Sequence, residues 1–116
     1  MNTVVHVSSP DPNEQREAIA NTLNLVADES VSEPGDHVVV LANGAGVRMF
    51  VEATTALEEF VNELRNYDVE LRACRNALRG MGATDDDLLR GVEGVPSGSG
   101  ELARLQAEGY GYIKAP

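Results

Sequence analysis

The chain has 116 residues, 42% of them hydrophobic, and no apolar run approaches the roughly 20 residues that a bilayer span requires. Its 19 acidic and 9 basic side chains give a formal charge of -10, which repels phosphate backbones and anionic lipid and argues against nucleic acid or membrane partners. One cysteine closes no internal disulfide and the N-terminus lacks a signal-peptide pattern, so a single cytoplasmic domain over 1–116 is expected.

The acid excess reads in two ways, as a soluble acidic surface or as adaptation to a salty cytoplasm where screening shortens the reach of self-repulsion. We favour the halophilic reading. Either concerns solubility rather than chemistry.

Thr3 to Ser8 is a β-rich run of the length of a buried strand, and it stops at Ser8-Ser9-Pro10. Asp11 then reads as an N-cap, Pro12 as the first helical residue and Glu14 as the partner in a capping box. Ile19, Leu23 and Val26 keep helical spacing to about Asp28. Asn21 and Asn24 lie on one face of that helix and read as a polar seam. Pro34-Gly35 marks a loop, and His37 to Ala42 is a second strand, apolar enough for both faces to be covered.

That strand ends in Asn43-Gly44-Ala45-Gly46, where glycines let backbone N–H groups approach a ligand or simply make a tight turn. The third glycine of a dinucleotide fingerprint is missing. Val47 to Phe50 suits a short helical turn. Ala53, Ala56, Leu57, Phe60, Val61 and Leu64 then form an apolar stripe for core packing, with Thr55 and Glu58 placed for a capping box.

Val69 to Leu78 reads as a strand running straight into a short helix, with Cys74 at the junction. A thiol there lies near the partial positive charge of a helix N-terminus, although cysteine is also a common buried filler. Thr84 caps a further short turn whose Asp85-Asp86-Asp87 complement the helix dipole better than they suggest a metal. Val92 to Val95 is a brief strand closed by Pro96-Ser97-Gly98. Ser99-Gly100-Glu101 opens a last helix, stopped by Gly109, and Tyr110 to Lys114 is the final strand.

The alternation of strands and helices predicts an α/β fold, three-layer α/β/α with a mainly parallel five-stranded sheet. Parallel strands joined by right-handed crossovers bring their carboxyl ends to one edge, where such folds keep their ligands. Ser8, Asn43-Gly44, Cys74 to Asn76 and Ser97 are then neighbours. No Cys/His cluster has metal spacing, so neither a metal nor another cofactor is expected. His6 and His37 read as histidines satisfied by neighbours rather than ligands.

The ordered set Asn21-x-x-Asn24-Leu25, Asn43-Gly44-x-Gly46-Val47, Ala73-Cys74-x-Asn76-x-Leu78, Val95-Pro96-Ser97-Gly98 and Gly109-Tyr110-x-Tyr112-Ile113 resembles the DsrE/DsrF-like proteins, most of all the small stand-alone members. The resemblance implies a parallel α/β/α fold assembled as a homotrimer or hexamer. In its sulfur-relay members a cysteine after a strand carries sulfur as a persulfide, the position that Cys74 matches, and Asn43, Gly44 and Gly46 match the loop lining the adjacent pocket. With no second cysteine, any relay passes to another sulfur-carrier protein.

Three readings follow. In the first, Cys74 accepts sulfur, Arg75 and the helix N-terminus stabilise its charge, and Asn43 and Asn76 orient the donor, with Ser8 and Ser97 lining the site. The second is a non-enzymatic oligomeric module binding a small anionic or nucleotide-like ligand. The third is a structural or regulatory oligomer with an inert thiol.

Overall fold

The structure, a computed structural model, describes residues 1–116. Five strands, β1 (Thr3–Val7), β2 (Val38–Ala42), β3 (Glu70–Cys74), β4 (Val92–Val95) and β5 (Gly111–Lys114), form one sheet in the order β4-β3-β2-β1-β5. Every pairing in it is parallel. Helices α1 (Pro12–Ala27), α2 (Glu58–Asn66), α3 (Arg75–Gly80) and α4 (Gly98–Ala107) complete the expected layers. Two 3₁₀ turns, Gly44–Phe50 and Asp85–Asp87, lie between them.

The strands alternate in the way this topology demands. Val38–Ala42 is buried along its whole length, because helices cover both faces of the central strand. One face, carrying Val5, Val7, Val40, Leu71 and Ala73, packs under α1, α2, α3 and the first 3₁₀ turn in a cluster of 22 buried residues. The opposite face meets α4 alone, through Val4, Val39, Leu41, Val95 and Leu105, with Leu102 and Tyr110 at the margin. The chain therefore steps from β1 to β4 in one direction and returns across the second face to β5.

Local expectations fail where a nearer partner intervenes. Asp11 caps α1 by accepting from the Asn13 N–H at 2.8 Å, but the capping box does not close. Ser9 takes both of its roles, donating to Glu14 and accepting from the Asp11 N–H. The stripe from Ala53 is cut short because α2 starts only at Glu58, after Leu57 as N-cap, where Thr55 Oγ accepts from the Leu57 N–H. Val51 is held extended by a bridge to Leu88, and Glu52 N donates to Asp87 O at 2.9 Å. Ala53 and Ala56 are consequently exposed and Phe60 is 39% exposed, so only Leu57, Val61 and Leu64 of that stripe enter the core. His37 stays outside β2, its N–H taken by Asn2 and its ring by Glu70. Asn21 and Asn24 are exposed on α1.

α4 is tied to the sheet by charge as well as by apolar contact. Arg72, on β3, reaches Glu101 at 2.8 Å, and both side chains are largely buried, at 13% and 10% exposure. Arg72 also holds Glu70, and Arg104 holds Glu101 from the solvent side. Removing one partner of such a pair leaves a charge without compensation in a desolvated site. Arg72→Ala should therefore lower stability by about 3 kcal/mol in urea denaturation, whereas Arg72→Met combined with Glu101→Leu should recover most of that loss.

Candidate functional site at the carboxyl edge of the sheet

The direction of winding reverses between β3 and β4. The chain leaves β3 into α3 on the first face and leaves β4 into α4 on the second. Adjacent strands whose exits diverge in this way open a crevice at their carboxyl ends. Cys74 is the last residue of β3, in register with Val95 of β4, so it stands at that crevice. It is 7% exposed and belongs to the larger core cluster. Cys74 is also the residue from which α3 starts, and the first residue of α4 packs directly against it.

Gly98 makes that approach possible. A Cβ there would lie 2.9 Å from Asn43 Cβ and 3.2 Å from Cys74 Cβ, closer than side chains tolerate. Asn43 follows Ala42, whose register partner is Ala73, so Asn43 and Cys74 end neighbouring strands side by side. Three elements thus converge on one point: the ends of β2 and β3 from below and the first turn of α4 from above. Ser97 caps that turn, its Oγ accepting from the Gly100 N–H at 3.1 Å.

The other residues singled out from the sequence divide into two groups. Ser8 and Asn43 lie on the same edge, and Ser8 Oγ accepts from Lys114 Nζ at 2.8 Å. Gly44, with φ of 51°, begins the turn after β2. Gly46 is packed onto the end of β1, where a Cβ would meet the Val7 carbonyl oxygen at 2.5 Å, so its role there is close packing of the turn against the strand. Arg75 and Asn76 bond to side chains other than the thiol. Arg75 forks onto the Asp85 carboxylate through Nε and Nη2, and this bond holds the Asp85 carboxyl below the usual carboxylate range. Asn76 is exposed and accepts from Arg79 one turn on.

Two residues join the site that the sequence did not single out for it. His6 Nε2 lies 2.7 Å from Asn43 Oδ1, and its Nδ1 lies 2.7 Å from the Tyr112 hydroxyl. Both belong to the face covered by α4, since Tyr112 is in register with Val4 and His6 with Leu41. A period-two reading carried across the strands from the apolar Val4 and Leu41 positions is the signal that finds them. His6 is thus a satisfied histidine, and its partner is a residue of the edge.

The glycine contacts give a direct check. Gly98→Ala should cost about 1–3 kcal/mol and displace α4 from Cys74. Gly100→Ala, where a new Cβ meets only Ser97 at 3.5 Å, should fold like the parent chain. Equal denaturation midpoints for the two variants would contradict the close contact.

The comparisons with known proteins agree with this architecture. The model of the DsrE/DsrF-like family, a family associated with sulfur relay, matches residues 1–115. A protein of unknown function from Methanobacterium thermoautotrophicum, MTH1491, is 34% identical and superposes with a TM-score of 0.87 over 97% of each chain. The ychN protein of E. coli, 15% identical, shares the fold with a TM-score of 0.79 over 98% of this chain and 99% of its own. No curated protein matches the chain. The match over nearly its whole length and the parallel five-stranded architecture together make the chain a member of the DsrE/DsrF-like family.

Proposed function

We propose that the protein carries sulfane sulfur as a persulfide on Cys74, in a sulfurtransferase-type reaction of cytoplasmic sulfur metabolism. The observation that carries this reading is the position of the thiol at the winding reversal, where α3 begins and the first turn of α4 packs against it. The Cys74 thiol first gives its proton to solvent. The thiolate then attacks the outer sulfur of a polysulfide or of thiosulfate. A Cys74–sulfur bond forms as the donor's S–S bond breaks, and the shorter polysulfide or sulfite departs with the bonding electron pair. No external oxidant or reductant is needed. Onward transfer is the same exchange on the thiolate of another sulfur-carrier protein, because this chain holds no second cysteine.

Arg75 and Asn76, turned toward Asp85 and Arg79, have no contact with the sulfur in this reading. Asn43 and Ser97 flank it. Intact-protein mass spectrometry after incubation with polysulfide should show one added sulfur in the parent chain and none in Cys74→Ser, which should cost no more than about 1 kcal/mol of stability. A native thiol that reacts only after unfolding, together with a markedly destabilised Cys74→Ser, would overturn the reading.

A second reading has its own observation, since Cys74 is only 7% exposed and lines none of the surface clefts. One cleft of about 470 Å³ lies beside it, over Ser97 and Gly100 at the start of α4, with Arg75 and Arg104 on its walls. A non-enzymatic module would hold a small anionic or nucleotide-like ligand there, and this becomes the preferred function if Cys74 takes no sulfur.

The same proposal includes self-association as a homotrimer or hexamer. Tyr112 and Ile113 are 42% and 41% exposed on β5, an edge strand with one side unpaired. With a charge of -10 per chain, assembly should be favoured by salt. Light scattering should give a trimer or its dimer in molar salt and smaller species in dilute buffer, and a monomer mass in both would refute it.

A further inference from the structure

The hydrogen bonds at His6 fix more than the position of a ring. Asn43 Oδ1 accepts from His6 Nε2, so Nε2 carries the proton. In the neutral imidazole Nδ1 is then the acceptor, and the Tyr112 hydroxyl donates to it. The chain of donors runs one way, from Tyr112 to His6 to the oxygen of Asn43.

The consequence falls on the other end of the carboxamide. With its oxygen held by His6, Asn43 has its NH₂ group left, and it makes no side-chain bond to the 3₁₀ turn that it heads. Asn43 and Cys74 end adjacent parallel strands on the same face, about 4.8 Å apart across the ladder. Both lie directly under Gly98. Two N–H donors that no side chain engages therefore sit on the strand end next to that of Cys74, whose thiolate, and then whose outer persulfide sulfur, carries the negative charge of the exchange.

We infer that Asn43 donates to the outer, anionic sulfur of the Cys74 persulfide, and that His6 and Tyr112 are positioning residues that hold its carboxamide in the donating orientation. This inference rests on the sulfur-carrier reading and extends it to the recognition of the charged sulfur. Aimed donors stabilise developing charge without reorganisation, and the neutral amide supplies them in a protein whose surface is otherwise dominated by carboxylates. Tyr112 is the outermost member, and it reaches the site only because β5 pairs with β1 in the register that sets Tyr112 opposite Val4.

The test compares polysulfide loading of Cys74, followed by intact mass, in four chains. Asn43→Asp keeps the shape and still accepts from His6, but it replaces the NH₂ by an anionic oxygen. Its loading rate should fall about 100-fold. His6→Leu should fall about tenfold, and Tyr112→Phe by a smaller factor. A second readout separates positioning from general damage: the Asn43 side-chain NH₂ resonances in a ¹⁵N correlation spectrum should move when the parent chain is loaded. In His6→Leu they should be displaced before loading and respond weakly to it. Loading of Asn43→Asp at the parent rate, or Asn43 resonances indifferent to loading, overturns the inference while leaving the sulfur reading intact. A parent chain that takes no sulfur overturns both.

Discussion

The contact of Gly98 with Asn43 and Cys74 is the constraint from which the rest of the site follows. A parallel sheet needs cover on both faces, and here three helices serve one face while a single ten-residue helix serves the other. That helix must start at the end of β4 and still lie close enough to bury Val39 and Leu41. Any side chain at position 98 would lift its first turn off the sheet. The Arg72–Glu101 pair acts further along the same helix, where a desolvated charge on β3 fixes its rotation. Glycine sets the distance and the ion pair sets the orientation, so the crevice between β3 and β4 has little freedom in width.

The site also draws on parts of the chain that lie far apart. β1 lies inside the sheet, paired with β2 on one side and with β5, the last strand of the chain, on the other. Tyr112 is therefore supplied by the last strand of the chain, which follows α4. Asn43, Cys74 and Gly98 come together from earlier parts of the chain. The hydrogen bonds of His6 span both sets, one to residue 43 and one to residue 112. The pairing of β5 with β1 is thus what brings Tyr112 to the ring that holds Asn43.

Much of this was legible in the sequence because it depends on period and punctuation. Val38 to Ala42 is apolar at every position, which a strand covered on both faces requires, and Pro96-Ser97-Gly98 marks the end of a strand, although the last helix starts at Gly98 under the Ser97 cap rather than at Ser99. Cys74, Asn43 and Ser97 were placed on one edge by the rule that parallel strands share a direction. What escaped depends on distances between segments far apart in the chain. Arg75 stands next to Cys74 in sequence but bonds to Asp85, ten residues on, across the start of α3. The helical stripe from Ala53 failed because Val51 is pinned to Leu88 from a segment that no local pattern mentions. His6 reads in sequence as a histidine satisfied by a neighbour, but that its neighbours are Asn43 and Tyr112 follows only from the registers of β1, β2 and β5 together.

The scarcity of lysine gives the edge one further property. Lys114 is the sole lysine and Cys74 the sole cysteine, and each closes a strand of the same sheet. Between β3 and β5 lie β2 and β1, so three inter-strand steps, about 14 Å, separate the two strands, and the registers set Lys114 level with Arg72, two residues short of Cys74. Amine chemistry addresses one end of that span, apart from the chain terminus, and thiol chemistry the other. The molecule carries its own ruler, laid obliquely across the strand ends, and any widening of the crevice between β3 and β4 leaves that length unchanged.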